Sequence, residues 1–396
     1  MNKKKDILFV MNNLNVGGAE KALVSLLQVM DYDRYNVDLL LFRREGLFLK
    51  QVPSQVHILP ELENYKYFDM PFSKVVKENV LKGNFKVILS RMQFKRATGK
   101  ARSAAEKEQM GWKFLAKTIE PLEKTYDAAI GFLEKNPNYF IVDKVQAAIK
   151  IGFIHNDYNE LKLNTAIDAP YFQKLNAIAT VSEECLKVLV KEFPDLADKF
   201  RFIPNIVSGV LVHRLSKEEV DVSENAVVSV GRLESQKGFD YAVEAAKILK
   251  EAGINFHWYI IGEGSERGRL ESLILKHDLT RHFTLLGLKE NPYPYIRKAK
   301  VFVQPSRFEG KSIAVDEAKI LAKPILLTNF STAKDQIENN INGLIVDMTP
   351  DAIAGGIIKY LGDAGYTKNI IDALSAQNWG TEDEIIKIYR LIESCN

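Results

Sequence analysis

Short apolar runs recur along this chain, each closed by a polar or glycine-rich turn and followed by a stretch with apolar positions three and four apart. Runs of that length and makeup suit strands buried on both faces, and the stretches between them suit amphipathic helices. In the first half, residues 7–11 read as a strand before a helix over 21–30, and 37–42, 127–132, 147–154 and 177–181 read as further strands. Ser182 stands where a helix cap belongs, ahead of Glu183 and Glu184. The second half alternates more regularly: strand 227–230, helix 240–252, strand 257–261, helix 266–277, strand 283–286, strand 301–305, a helix after Gly310, and strands over 323–328 and 342–346. An amphipathic helix over 379–392 closes the pattern. Strands alternating with helices in this way predict an α/β protein with doubly wound parallel sheets.

The chain has 396 residues, enough for two domains with separate cores. Phe202-Ile203-Pro204-Asn205, followed by the polar stretch 217–225, marks the passage between them. The expected limits are a first domain over 1–205, a second over 206–372 and a closing helix within 373–396. With 46% hydrophobic and 27% charged residues the composition is that of a soluble globular protein, and no apolar run is long enough to span a membrane. The opening Met-Asn-Lys-Lys-Lys-Asp lacks the apolar core of a secretion signal, so a cytoplasmic location is expected. Cys185 and Cys395 form no metal or disulfide pattern and fit a reducing compartment, with Cys185 a packed thiol in a helix. The six histidines show no ligand spacing, so no metal site is expected.

Charge changes the picture in one place. Between residues 82 and 117 there are ten cations, Lys82, Lys86, Arg91, Lys95, Arg96, Lys100, Arg102, Lys107, Lys113 and Lys117, against Glu106 and Glu108. That segment carries +8 of a net +3, which leaves about −5 for the rest. Phe85, Val87, Ile88, Leu89, Met92 and Phe94 lie among these cations, a pattern suited to an anionic membrane surface. A solvated basic helical insertion over about 60–125 would read the same way. No aromatic platform or helix-turn-helix pattern points to nucleic acid.

Candidate chemistry gathers in loops after strands. Ser306-Arg307-Phe308-Glu309-Gly310-Lys311-Ser312-Ile313 joins a strand to a helix, and Glu309 and Glu317 bracket the helix start with seven residues between them. Gly310 admits close backbone approach, the helix N-terminus favours an anion, and both carboxylates could accept hydrogen bonds from hydroxyl groups. The plainer alternative makes Glu309 a cap and Glu317 a solvated helix charge. The loop after strand 227–230 reads Gly231-Arg232-Leu233-Glu234-Ser235-Gln236-Lys237-Gly238, with two cations five residues apart. Gly17-Gly18 after the first strand offers another place for phosphate to meet a helix N-terminus. Gly262-Glu263-Gly264 suggests a dinucleotide turn, but the third glycine, Gly268, is displaced by one position. Asp31-Tyr32-Asp33 lies at the wrong end of its strand for a ligand and reads as a turn. His155 closes strand 147–154, where parallel sheets bind ligands, with Asn156 and Asp157 beside it.

The Glu, seven residues, Glu motif, paired with Gly-Arg-Leu and Lys-Gly about eighty residues earlier, resembles family 4 glycosyltransferases, retaining enzymes of the GT-B fold. The resemblance covers the chain from about residue 202 onward, weakens before that, and stops between about 60 and 125. It implies two Rossmann-like domains facing a cleft, with the C-terminal helix crossing back to the first, acceptor-binding one. By resemblance Arg232 and Lys237 hold the donor diphosphate, Glu309 the sugar ring, Glu317 the ribose hydroxyls, and Gly287 and Leu288 the base through their backbone. Gly17, Gly18, Gly231, Gly262, Gly310, Lys311, Ser312 and Ile313 complete the implied donor site, and His155 contacts the donor sugar. No cofactor or metal is implied, because the nucleotide-sugar is a substrate. Lys311-Ser312 stands where many members have Phe-Gly, which leaves the sugar open, and Ile206 replaces the glycine usual after Asn205. The nearest likeness is to bacterial enzymes that build capsule, lipopolysaccharide or exopolysaccharide on a lipid carrier. The expected reaction is sugar transfer from a nucleoside diphosphate, UDP first, to a saccharide or lipid-linked hydroxyl, at the inner face of the cell membrane. A non-catalytic nucleotide-sugar-binding or scaffold protein is the alternative.

Overall fold

The computed structural model describes residues 3–15, 17–101 and 103–393. Met1, Asn2, Val16, Arg102 and Cys395, which entered the sequence reading, lie outside them. The chain forms two compact units, one from the first strand, Ala19–Pro204 and the end of the chain from Glu384, the other from Gly17, Gly18 and Asn205–Asp383.

In the first unit the order is β1 (Lys5–Met11), α1 (Gly18–Gln28), β2 (Tyr35–Leu41), β3 (Val56–Ile58), α2 (Phe72–Leu81), α3 (Phe85–Thr98), α4 (Ala104–Leu115), β4 (Thr125–Gly131), α5 (Asn136–Lys144), β5 (Gln146–Ile154), α6 (Thr165–Phe172), β6 (Ala177–Thr180), α7 (Glu183–Glu192) and β7 (Phe200–Phe202). The second follows with α8 (Gly209–Leu215), β8 (Ala226–Val230), α9 (Phe239–Glu251), β9 (His257–Ile261), α10 (Arg267–Lys276), β10 (Phe283–Leu285), α11 (Tyr293–Lys298), β11 (Val301–Gln304), α12 (Ile313–Ile320), β12 (Ile325–Thr328), β13 (Leu344–Val346), α13 (Pro350–Gly362) and α14 (Ala364–Ser375). Helix α15 (Ile385–Glu393) returns to the first unit.

Both sheets are parallel, and each begins on a middle strand. The first has the order β3-β2-β1-β4-β5-β6-β7 and the second β10-β9-β8-β11-β12-β13. Ile7 to Met11 have no exposure at all, and Val301 to Val303 none either, as strands covered by helices on both faces require. The order reverses between β1 and β4 in one sheet and between β8 and β11 in the other. At such a point the loops leaving the two strands diverge and open a crevice at their carboxyl ends.

Ser182 caps α7 as expected, its Oγ accepting from the Cys185 amide at 3.1 Å, and Cys185 is buried. Asp31-Tyr32-Asp33 is a turn: the Asp31 carboxylate accepts from the Asp33 amide at 3.0 Å, and its carbonyl accepts from Arg34 and Tyr35. The last helix begins later than its apolar pattern predicts. Thr381 Oγ1 instead accepts from the Val207 amide at 2.8 Å and donates to the Asn205 carbonyl at 2.7 Å, while Glu382 accepts from the Gly209 amide. These bonds hold residues 379–381 as an irregular strap, and the helix forms only from Ile385.

The basic segment forms α3, α4 and the turns around them, and its apolar residues divide. Val87 is fully buried in the first unit's core with Val75, Trp112 and Phe140, and Phe94 packs against that core, its ring lying over Gly111. The interleaved apolar set therefore does not face outward as a whole. Phe85, Leu89 and Met92, spaced four and three apart on α3, are 65%, 52% and 51% exposed, with Leu81 beside them at 83%. Lys82, Lys86, Lys95 and Arg96 are exposed around this stripe. Among the described residues no helix is long and apolar enough to cross a membrane.

Candidate functional site

In the second unit both sequence motifs sit at the carboxyl ends of neighbouring strands. The loop 231–238 leaves β8 and the loop 305–312 leaves β11, and these strands pair directly, Val227 beside Val301. Gly238 has φ +64°, and a Cβ there would run into the Pro305 carbonyl, so only glycine lets the two loops close. Gly262, at φ +152°, comes equally close to the Gly231 carbonyl, and its amide donates to Gly287 at 3.0 Å. Glu234 accepts from the Ser265 amide and hydroxyl at 3.2 and 2.8 Å. Three strand ends are thus fastened into one surface.

Across the crevice Lys237 Nζ donates to Glu309 Oε1 at 2.6 Å. Both side chains are largely buried, 14% and 6% exposed. Glu309 Oε1 also accepts from Ser306 Oγ at 2.6 Å and from Gln304 Nε2 at 3.3 Å, and Thr332 Oγ1 donates to the Glu309 carbonyl at 2.9 Å. A charged pair this far from water survives because hydrogen bonds take up its remaining capacity. Gly231 lies against the aliphatic part of Lys237, so the chain bends around that side chain. Arg232, on the same loop, is exposed, and its guanidinium has no bond to the described residues. That loop therefore offers one buried and one exposed cation.

The loop is braced from behind. Arg307 forks onto Asp240 at 2.9 and 2.8 Å and lies over the Tyr241 ring. Burial opposes the Asp240 charge, but the Arg307 fork outweighs it, and the carboxyl titrates below its ordinary value. Gln336 Oε1 accepts from the Ser312 amide at 3.0 Å while its Nε2 donates to the Ser312 carbonyl at 2.8 Å. The Ser312 amide is therefore already engaged by a side chain. Lys311 stands 4.0 Å from Asp316. Glu317 is 1% exposed on α12 and accepts from Tyr293 Oη at 3.1 Å. The plainer alternative fails in both parts, since α12 starts from Ser312 rather than from Glu309 and Glu317 is buried rather than solvated. Leu288, just beyond β10, is 43% exposed.

His155 closes β5 in the first unit, 6% exposed, with its ring against Phe132 and Phe153. Glu134 accepts from its amide at 3.1 Å and from Asn156 Nδ2 at 3.3 Å. Gly18 opens α1 with open space where a Cβ would stand, and Gly17 precedes it. The structure thus joins Lys237, Glu309, Gly231 and Gly262 in one network and sets Arg232, Glu317, Gly310, Lys311, Ser312, Ile313 and Leu288 on the same unit. His155 belongs to the first unit, whereas Gly17 and Gly18 are grouped with the second. Sequence reasoning missed Gln304, Ser306, Gln336, Tyr293 and Glu134. Gln304 and Ser306 could have been found as the polar end of a buried strand, whereas the other three carry no local signal.

Two parallel sheets, each entered on a middle strand with these loops at its carboxyl ends, make this a GT-B type α/β protein. Anabaena HepE, solved in complex with UDP-glucose, has this fold, with a TM-score of 0.67 over 98% of this chain and 100% of its own at 14% identity. Residues 214–375 match the family model described as glycosyl transferases group 1. An uncharacterised glycosyltransferase of Methanocaldococcus jannaschii is 29% identical over 175 residues, 42% of this chain and 43% of its own. The Campylobacter jejuni N-acetylgalactosamine-N,N'-diacetylbacillosaminyl-diphospho-undecaprenol 4-alpha-N-acetylgalactosaminyltransferase is 23% identical over 338 residues, 85% of this chain and 84% of its own. The chain spans less than half the length of three of the first four curated relatives it matches.

Proposed function

We propose that this protein is a retaining glycosyltransferase of surface polysaccharide biosynthesis, moving a sugar from a nucleoside diphosphate, UDP first, to a hydroxyl of a saccharide or lipid-linked acceptor. The observation that carries the proposal is the buried Lys237–Glu309 pair at the reversal point of the second sheet, with Arg232 exposed on the same loop. As the glycosidic bond breaks, the departing diphosphate gains negative charge and the sugar becomes oxocarbenium-like. Lys237 and Arg232 would stabilise the leaving group, doing what a metal ion does elsewhere, so the reaction is read as metal-independent. Glu309 would hold the sugar's hydroxyls and Glu317 the ribose. Retention follows if the acceptor attacks the face from which the diphosphate leaves, and His155 would help orient the sugar.

We assign the exposed stripe of α3 to an anionic membrane surface. Phe85, Leu89 and Met92 would enter the headgroup boundary and Lys82, Lys86, Lys95 and Arg96 would meet the phosphates. That would make the protein peripheral on the membrane's inner face.

The test is calorimetric titration of UDP, GDP and several UDP-sugars into wild type and Lys237→Ala, followed by product analysis with lipid-linked acceptors. Binding of one nucleotide that Lys237→Ala loses, with sugar transfer, is the expected result. Nucleotide binding without transfer to any acceptor would favour the scaffold alternative, and no nucleotide binding by folded protein would sink the donor reading.

A further inference from the structure

Strands β4 and β5 run side by side with Gly131 next to Gly152, and the loops that leave them stay in step, so that Phe132 meets Phe153 and Glu134 meets His155. The Phe132 and Phe153 rings stack with centres 4.6 Å apart, and the His155 ring lies against both, at 4.9 and 5.6 Å. Glu134 is 6% exposed. One of its oxygens accepts from the His155 amide at 3.1 Å and the other from Asn156 Nδ2 at 3.3 Å. One short loop thus grips His155 twice, at the ring through Phe132 and at the main chain through Glu134.

The loop is itself held in an uncommon shape. Lys135 has φ +69° and ψ −120°, a conformation that residues with a Cβ avoid. Its side chain, 16% exposed, is ion-paired with Glu108 of α4. Burial works against that ammonium, yet Glu108 and then Glu134 hold it above its ordinary value. On the other side the Phe132 amide donates to the Val10 carbonyl at 2.9 Å. Strained backbone persists only where its surroundings over-determine it, and such places collect at functional sites. A lone amide can be satisfied by a serine or a water, so closing the loop does not by itself call for a buried carboxylate.

We propose that Glu134 is a positioning residue for the transfer reaction: it sets His155 at the end of β5 through the His155 amide, by geometry rather than by charge. The proposal rests on the reading of His155 as a group that orients the donor sugar. The helical insertion then reaches the reaction through Lys135, because Glu108 on α4 fixes the loop that carries Glu134.

The test labels full-length protein with carbon-13 at histidine Cε1 and reads the His155 signal, assigned by its loss in His155→Asn. Glu134→Leu, which fills the space but accepts no bond, should shift or broaden that signal. Glu134→Gln, which keeps an acceptor for the amide, should leave it near its wild-type position. In turnover of a UDP-sugar, Glu134→Leu should lower kcat about ten- to a hundredfold with KM for the donor within about twofold, and Glu134→Gln should recover most of that loss. Adding Glu134→Leu to His155→Asn should cost nothing further, since the first acts through the second. Should Glu134→Leu fail to fold, Glu134→Ala, which leaves room for water at both donors, carries the same comparison. The proposal is overturned by an unmoved His155 signal in folded Glu134→Leu, by a loss in Glu134→Gln equal to that in Glu134→Leu, by a rise in KM with kcat intact, or by losses that multiply in the double variant. The His155 signal needs no substrate. A wild type without turnover would therefore sink the transferase reading, while the signal still decides whether Glu134 sets His155.

Discussion

Replacing Glu309 by glutamine would separate the two tasks assigned to the Lys237–Glu309 pair. Glutamine has the same shape and can still accept from Lys237 and Ser306, which stand 2.6 Å from Glu309 Oε1, so the loop should keep its form. What changes is one negative charge. A diphosphate oxygen bonded to the same ammonium would lie about 4.5 Å from Glu309 Oε1 and about 5 Å from the centre of the carboxylate charge, since the two hydrogen bonds leave a tetrahedral nitrogen. At an effective dielectric of about 20 the repulsion is about 3 kcal/mol, and solvent reaching the site reduces it to about 1 to 2 kcal/mol. Glu309→Gln should therefore bind UDP about five- to thirtyfold more tightly than wild type. Turnover should still fall about a hundredfold or more, because the carboxylate proposed to hold the sugar is gone. Calorimetry on wild type, Glu309→Gln, Lys237→Ala and the double variant reads the first effect, and product formation reads the second. Weaker UDP binding in Glu309→Gln than in wild type would refute the competition between carboxylate and phosphate. Undiminished UDP binding in Lys237→Ala would refute the role of the lysine.

Three further outcomes can be checked. Gly238→Ala should destabilise the second unit by about 3 kcal/mol or more, since it forces a Cβ against the Pro305 carbonyl at positive φ, and thermal unfolding measures it. The Lys323 ammonium is pushed down from 10.5 to about 8, first by burial and then by Lys300 and Arg297. The folded chain bears that cost below about pH 8, and between pH 8 and 10.5 the unfolded chain binds more protons, so stability rises with pH. Lys323→Met should add up to about 2 kcal/mol at pH 7 and lose that gain as pH approaches 10.5; a pH-independent gain would contradict the assignment. Changing Phe85, Leu89 and Met92 together to serine should abolish cosedimentation with phosphatidylglycerol vesicles and leave the melting temperature within a few degrees, since all three are exposed.

Much of this architecture could be read from the chain because parallel strands buried on both faces are written as continuous apolar runs. β1, β5, β8, β9 and β11 lie within two residues of their runs for that reason. The two motifs were legible as loops after strands, and their meeting followed once β8 and β11 proved to be neighbours. Gln336 was not legible, since it comes from an irregular segment and its bonds to Ser312 depend on tertiary placement. Burial of Glu317 was hidden for the same cause, its Tyr293 partner being twenty-four residues away. The amphipathic signal of α3 misled in part. Val87 and Phe85 look equivalent in sequence, yet one faces the core and the other solvent.

Helix α15 belongs to the first unit although it is reached only after the whole of the second. Ile388 and Ile392 are buried, Tyr389 stacks on Tyr35 with ring centres 5.0 Å apart, its hydroxyl accepts from the Asp31 amide at 2.8 Å, and Glu393 holds Tyr35 and Arg34. During synthesis the first sheet emerges early, but the patch from Asp31 to Tyr35 at the start of β2 stays uncovered until the last helix leaves the ribosome. The domain that leads the chain is thus completed last. A fragment ending near residue 205 would carry an open apolar seam, so dissecting this protein at its apparent boundary should yield a second unit that stands alone more readily than the first.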